Sequence, residues 1–228
     1  MSSSAAARPG FLDRDYIVAG SNFNRWLVPP AALAIHLSIG MAYGFSVFWL
    51  PMTHLVAAAP AACKGLGFIA ALTTTQCNWT VPEVTHIFET FIAVLGISAA
   101  IFGGWLEHAG PRRAGLIAAL CWGGGMVVGG IGVSIHQLWL VYLGAGVLGG
   151  IGQGLGYITP VSTLIKWFPD RRGLATGFAI MGYGGGAMIG APVAVALMRH
   201  FAHNGVAGVA PTLIVMVIGR CSGLCLVI

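Results

Sequence analysis

Gly103-Gly104-Trp105-Leu106-Glu107-His108-Ala109-Gly110-Pro111-Arg112-Arg113 joins two long apolar runs and carries one acid and two arginines in a chain that has little other charge. A connection this short makes the two flanking helices antiparallel neighbours. Its glycines are expected to let the two backbones approach, and its charges to sit where a helix mouth meets water. The reading that follows is a pair of membrane-spanning helices.

Composition extends this reading to the whole chain. Charged residues make up 7% and hydrophobic residues 57%, with a mean hydropathy of +0.86. A soluble domain carries roughly 25% charged residues, so this chain cannot cover a water-facing surface. Its 35 glycines among 228 residues suit packed membrane helices, where small residues permit close contact. At about 20 apolar residues per span plus loops, the length allows six spans.

Residues 1–25 are polar and rich in Ala and Ser, and read as a cytoplasmic tail. Residues 26–228 read as a six-helix transmembrane bundle, with apolar runs near 26–50, 84–106, 114–135, 137–165, 174–198 and 207–228. Pro29 and Pro30 open the first run and Pro51 helps to close it. Pro160 and Pro192 lie within runs and are expected to kink or end them. The long connection 57–82 is the outer loop.

Lysine and arginine set the orientation. With a cytoplasmic N-terminus, eight of them (Arg8, Arg14, Arg25, Arg112, Arg113, Lys166, Arg171 and Arg172) lie inside and only Lys64 and Arg199 outside, with Arg220 in the last run. The net charge of +5 therefore describes membrane topology. Nucleic acid does not explain it, because the basic residues are split among short loops.

Cys121, Cys221 and Cys225 read as small residues of apolar runs. Cys63 and Cys77 share the outer loop, where an oxidising compartment lets them pair, although spacing alone does not fix that bond. Asn78-Trp79-Thr80 is a formal glycosylation acceptor. Gly144-Ala145-Gly146-Val147-Leu148-Gly149 matches a dinucleotide fingerprint by letter, but no strand precedes it, so no cofactor is expected. Gly146, Gly150 and Gly154, and likewise Gly182, Gly186 and Gly190, form small-residue stripes for helix packing.

Three tyrosines accompany these stripes. Tyr157 follows Gly150 and Gly154 by seven and three residues, Tyr183 precedes Gly186 and Gly190 by the same steps, and Tyr43 follows His36 and Gly40. Two readings fit: the hydroxyls converge on one wet cavity, or each bonds a carbonyl or the interface.

Taken together, Asn24-Arg25-Trp26, Gly40-x-x-Tyr43, Phe48-x-x-Pro51, the Gly103–Arg113 segment, Gly182-Tyr183-Gly184 and Trp167-Phe168-Pro169-Asp170-Arg171-Arg172-Gly173-Leu174-Ala175-x-Gly177 resemble the oxalate/formate antiporter family of the major facilitator superfamily. The resemblance covers about residues 24–200 and implies the N-terminal six-helix bundle of a transporter. It implies transport of small carboxylates (oxalate, formate or another monocarboxylate) by alternating access. It also implies that Tyr43, Tyr157 and Tyr183 line the central cavity. Ala42 stands where the antiporter pattern has glutamine. A complete transporter of this fold has twelve spans, and the family's cationic groups for the carboxylate lie in its second half. The chain is therefore expected to need a second six-helix half, and the closing stretch Val217–Cys225 is expected to depart from the family.

Gly103, Glu107, Gly110, Arg112, Arg113, Asp170, Arg171 and Arg172 are candidate gating residues, since all sit in inner loops. Glu89 and His36 are candidate proton sites; the alternatives are that Glu89 snorkels to the outer interface and that His36 bonds a backbone carbonyl. No metal spacing, Walker loop or carboxylate pair supports an enzyme. The rival classes are a small channel or sensor, and an inactive fragment. The expected location is the plasma (inner) membrane, with the lipid bilayer as solvent.

Overall fold

The computed structural model describes residues 22–56, 67–203 and 205–217. Among the described residues, five helices are long and apolar enough to cross a membrane: Arg25–Met52, Val81–Ala109, Pro111–Ser134, Leu138–Trp167 and Pro169–His200. These are the first to fifth spans. A further apolar segment is helical over 209–217, the last residues described. Arg220, Cys221 and Cys225 lie outside the described residues, as does most of the N-terminal tail. Large side chains such as Ile97, Ile101, Leu120, Ile180 and Met188 stay exposed on the spans, as lipid-facing residues should.

Sequence dictates how the spans start. Pro29 and Pro30 open the first α-helical segment, Val28–Ile39. Thr80 and Glu83 form a capping box at the second span, with the Thr80 N–H donating to Glu83 Oε2 at 2.7 Å. Between the second and third spans only Gly110 leaves the helix. It adopts φ 84° and ψ 159°, a region essentially open to glycine alone, and Pro111 begins the next helix at once. The segment Gly103–Ala109 is therefore the last two turns of the second span and not part of a turn. Its charges project from a helix end. Gly103 and Gly104 also depart from expectation, because a side chain at either would meet open space.

Close approach happens at other glycines. A Cβ at Gly150 would lie 2.9 Å from the Phe91 carbonyl oxygen, and one at Gly154 would lie 2.7 Å from that of Leu95. The Gly146–Gly154 stripe is thus the seam between the fourth and second spans. A Cβ at Gly186 would lie 2.5 Å from Leu37 O and 2.8 Å from Gly40 Cα, which makes the second stripe the seam between the fifth and first spans. The third and fourth spans also cross closely, at Gly125, Gly129, Gly144 and Gly152. Pro160 and Pro192 sit inside uninterrupted helices and end neither.

Two stretches change their winding. The first span runs as a 3₁₀-helix over Gly40–Phe48, longer than such runs usually are. The fourth span is a π-helix over Tyr142–Leu148, the stretch that carries the glycine fingerprint. Wider winding there presents Gly144 and Ala145 to the third span, where Gly129 lies against both.

The described part of the connection between the first and second spans, residues 67–80, is ordered by specific contacts. Phe68–Thr73 forms a short helix. Asn78 clamps Val56 by accepting its N–H at 2.7 Å and donating to its carbonyl at 2.8 Å, so the formal glycosylation amide is committed to the fold. Trp79 stacks on His136 with ring centroids 4.6 Å apart, and His136 Nε2 donates to the Cys77 carbonyl at 2.7 Å. Cys77 is disulfide-bonded; Cys63, its expected partner, lies outside the described residues.

Candidate functional site

The three tyrosines come together. Tyr43 meets the Tyr183 ring edge-on at 4.8 Å between centroids, and Tyr157 meets it edge-on at 5.2 Å. His36 joins the group, 5.5 Å from Tyr157 and 6.3 Å from Tyr183. The first, fourth and fifth spans each supply at least one ring. Tyr183 is 4% exposed and Tyr43 57% exposed, so the cluster runs from the bundle interior to its open face.

Local winding explains the placement. In a 3₁₀-helix, residues three apart eclipse one another, which puts Tyr43 in line with Gly40. Gly40 lies against the Tyr183 backbone, and a Cβ there would collide with the Tyr183 carbonyl. The close first–fifth seam thereby brings Tyr43 against Tyr183. Tyr157 does not share the face of its stripe as expected. Gly150 and Gly154 face the second span, while the Tyr157 ring faces His36 and Tyr183. The Tyr157 ring thus turns to the flank that faces the first and fifth spans.

His36 is fully buried. Its Nε2 lies 3.3 Å from the Tyr157 carbonyl oxygen, an acceptor only, so Nε2 carries the proton and Nδ1 is left as a buried acceptor without a partner. The carbonyl alternative from the sequence is thus the bond observed. Gln153 was not singled out from sequence, yet it lies at the centre of the cluster. It is fully buried, and its Nε2 donates at 2.8 Å both to the Ile39 carbonyl and to the Tyr183 hydroxyl. Its only signal in the sequence is an amide enclosed by Gly152 and Gly154. Glu89 lies on an exposed face of the second span and pairs with His86 Nδ1 at 2.7 Å.

The opposite end from the 67–80 connection gathers the loop charges. Arg25 grips Asp170 with two hydrogen bonds of 3.1 and 3.2 Å, and Arg171 lies 3.8 Å from the same carboxylate. The Arg25 guanidinium also sits 5.0 Å from the Phe168 ring centre, and that of Arg171 5.8 Å from Trp26. Glu107 accepts from Lys166 and from Ser162, the latter at 3.1 Å. The partners Lys166 and Arg25 were not among the expected gating residues. Arg172 begins the α-helix Arg172–His200 and is exposed. Arg112 lines a mainly apolar cavity of about 270 Å³ between the first, third and fourth spans, together with Thr159 and Thr163. Among the described residues, no three His, Cys, Asp or Glu side chains gather to hold a metal ion.

Comparison with known proteins agrees with this architecture. Residues 53–227 match the family model for the Major Facilitator Superfamily. The match runs through the closing stretch Val217–Cys225, which the sequence reading had set outside the family. A protein named uncharacterized MFS-type transporter YhjX, of Escherichia coli (strain K12), is 28% identical over 170 residues, 74% of this chain and 36% of that protein. The oxalate:formate antiporter of Oxalobacter formigenes is 34% identical over 102 residues, 42% of this chain and 22% of its own length. Monocarboxylate transporter 13 of Bos taurus is 31% identical over 121 residues, 51% of this chain and 28% of its own. The chain thus spans about a third or less of the length of these relatives. It belongs to the major facilitator superfamily.

Proposed function

We propose that this chain is the N-terminal half of a secondary transporter of small carboxylates, which works by alternating access with a second six-helix half. The observation that carries the proposal is the meeting of Tyr43, Tyr157 and Tyr183, from three spans, in one aromatic wall that opens at Tyr43. Tyrosine hydroxyls offer hydrogen bonds to an anion without the burial cost of a full charge. The names of two relatives, an oxalate:formate antiporter and a monocarboxylate transporter, support the substrate class. In the chain joined to a second half, changing each tyrosine to Phe raises the KM for oxalate about tenfold with little change in folded yield, since a hydrogen bond to a charged group contributes about 1.5–3 kcal/mol. Unchanged uptake in all three variants would return the tyrosines to packing.

The charged end is the cytoplasmic side in this proposal, and the membrane is the plasma membrane. Impermeant thiol reagents applied to intact cells after reduction then label Cys77, while Arg113→Cys and Gly173→Cys in a cysteine-free background stay protected. The opposite pattern would invert the topology. The Glu107–Lys166 and Arg25–Asp170 pairs loosen when the inner mouth opens, with Gly103, Gly110, Arg112, Arg113, Arg171 and Arg172 shaping that mouth. Exposed pairs of this kind are weak and screened by solvent, which suits a tie that must break in every cycle. Glu107→Gln accordingly raises labelling of Tyr43→Cys from the cytoplasmic side; a change in expression alone would remove the gate. His36 and Glu89 remain the proton candidates, and loss of pH-dependent uptake in His36→Gln or Glu89→Gln identifies which one serves.

A further inference from the structure

Gln153 has a hydrogen-bonding arrangement that the tyrosine wall by itself does not require. The Ile39 carbonyl can only accept, so the atom 2.8 Å from it is the amide nitrogen of Gln153. That nitrogen has two protons, and the second goes to the Tyr183 oxygen, also at 2.8 Å. Both donors are therefore used, and Oε1 is left buried without a partner. A buried acceptor without a partner is destabilising, so the fold gives up stability to keep this amide turned toward Tyr183.

The consequence falls on the Tyr183 hydroxyl. A phenol has one proton and an oxygen that accepts. Gln153 occupies the accepting side, so the Tyr183 proton has to point away from Gln153. The flanking groups in that direction are the Tyr43 and Tyr157 rings, and Tyr43 stands on the open face. Inside the bundle the Ile39 carbonyl already accepts from the amide and His36 Nδ1 has no partner, and among the described residues neither holds this proton.

We propose that Gln153 is a positioning residue that sets the polarity of the site, holding Tyr183 as a donor toward the ligand so that the wall accepts a carboxylate oxygen and rejects an ammonium group. This rests on the carboxylate reading above. It adds the residue that makes the wall selective. Removing the amide frees Tyr183 to turn inward and give its proton to Ile39.

Ultraviolet resonance Raman spectroscopy, in detergent, of the chain joined to a second six-helix half tests this, because the tyrosine Fermi doublet differs between a phenol that accepts and one that donates. The Tyr183 signal is isolated by subtracting the spectrum of Tyr183→Phe. The wild-type difference spectrum should show an accepting phenol that both accepts and donates when oxalate is added, and methylammonium should leave it unchanged. In Gln153→Leu the doublet should have the donor form without ligand, and the apparent affinity for oxalate should fall at least about tenfold, the loss of one hydrogen bond to a charge. Gln153→Met, close in size and without a donor, gives the same reading if the leucine variant fails to fold. An unchanged doublet in the variant overturns the inference whatever the protein carries. An altered doublet with equal response to oxalate and methylammonium also overturns it. A doublet that switches in the variant, in a chain whose wild type ignores oxalate, sinks the carboxylate reading and with it the selectivity, while leaving the polarity of Tyr183 in place.

Discussion

Gly152→Val removes most of the folded protein from a detergent extract. Gly152 sits where the fourth span crosses the third, and a Cβ there would fall on the Trp122 backbone nitrogen and 2.8 Å from the Ala118 carbonyl oxygen. Both neighbours are backbone, so no rotamer change relieves the clash and the helices have to separate. Separation also breaks the Gly125–Gly144 and Gly129–Ala145 contacts along the same crossing. Overpacking in a core that can adjust costs about 1–3 kcal/mol, and a crossing that must open along its length costs more. The alanine variant should lie between wild type and valine in thermal midpoint, followed by monodispersity on gel filtration. Gly173→Val is the control, because Gly173 is exposed with nothing near its Cβ position. Equal yields from Gly152→Val and Gly173→Val would mean that the crossing is not the packing centre of the bundle.

The second large effect is all or none. Reconstituted alone, the 228-residue chain is expected to show no oxalate counterflow, and joined to a matching second six-helix half it shows saturable exchange. Alternating access in such folds rocks one bundle against another around a midplane site. Tyr43, Tyr157 and Tyr183 make one wall, and Tyr43 is left open. The wall offers hydroxyl donors and a His36 bonded to the Tyr157 carbonyl, and among the described residues no lysine or arginine joins the cluster to offset desolvation of the anion. Two copies meeting through this face would set tyrosines against tyrosines without adding positive charge. Saturable exchange by the chain alone would overturn this and point to a homodimeric carrier.

The spans were legible from sequence because lipid demands long apolar runs, and those runs fix helix ends to within a few residues. Both glycine stripes were legible as packing faces for the same reason: a four-residue step in a helix is a line of small side chains. The Gly103–Ala109 segment misled because charge and paired glycines look like a turn, whereas a helix end meeting water accommodates both. Gln153 was hidden. One amide between glycines has the same local pattern as a packing residue, and its importance comes from Ile39 and Tyr183, 114 and 30 residues away. Lys166 was hidden likewise, since its partner Glu107 lies 59 residues off. The 3₁₀ and π stretches come from helix-to-helix contact, which no local propensity encodes.

The single residue between the second and third spans constrains how the protein is made. With only Gly110 outside helix between Ala109 and Pro111, neither span can be threaded across the bilayer by itself. As the ribosome delivers them, the two are expected to enter the bilayer as one hairpin, with Arg112 and Arg113 at its tip. A mutation that weakens the apolar character of either helix therefore endangers both. An error of orientation at this point would turn the pair over together, with no halfway form for quality control to correct.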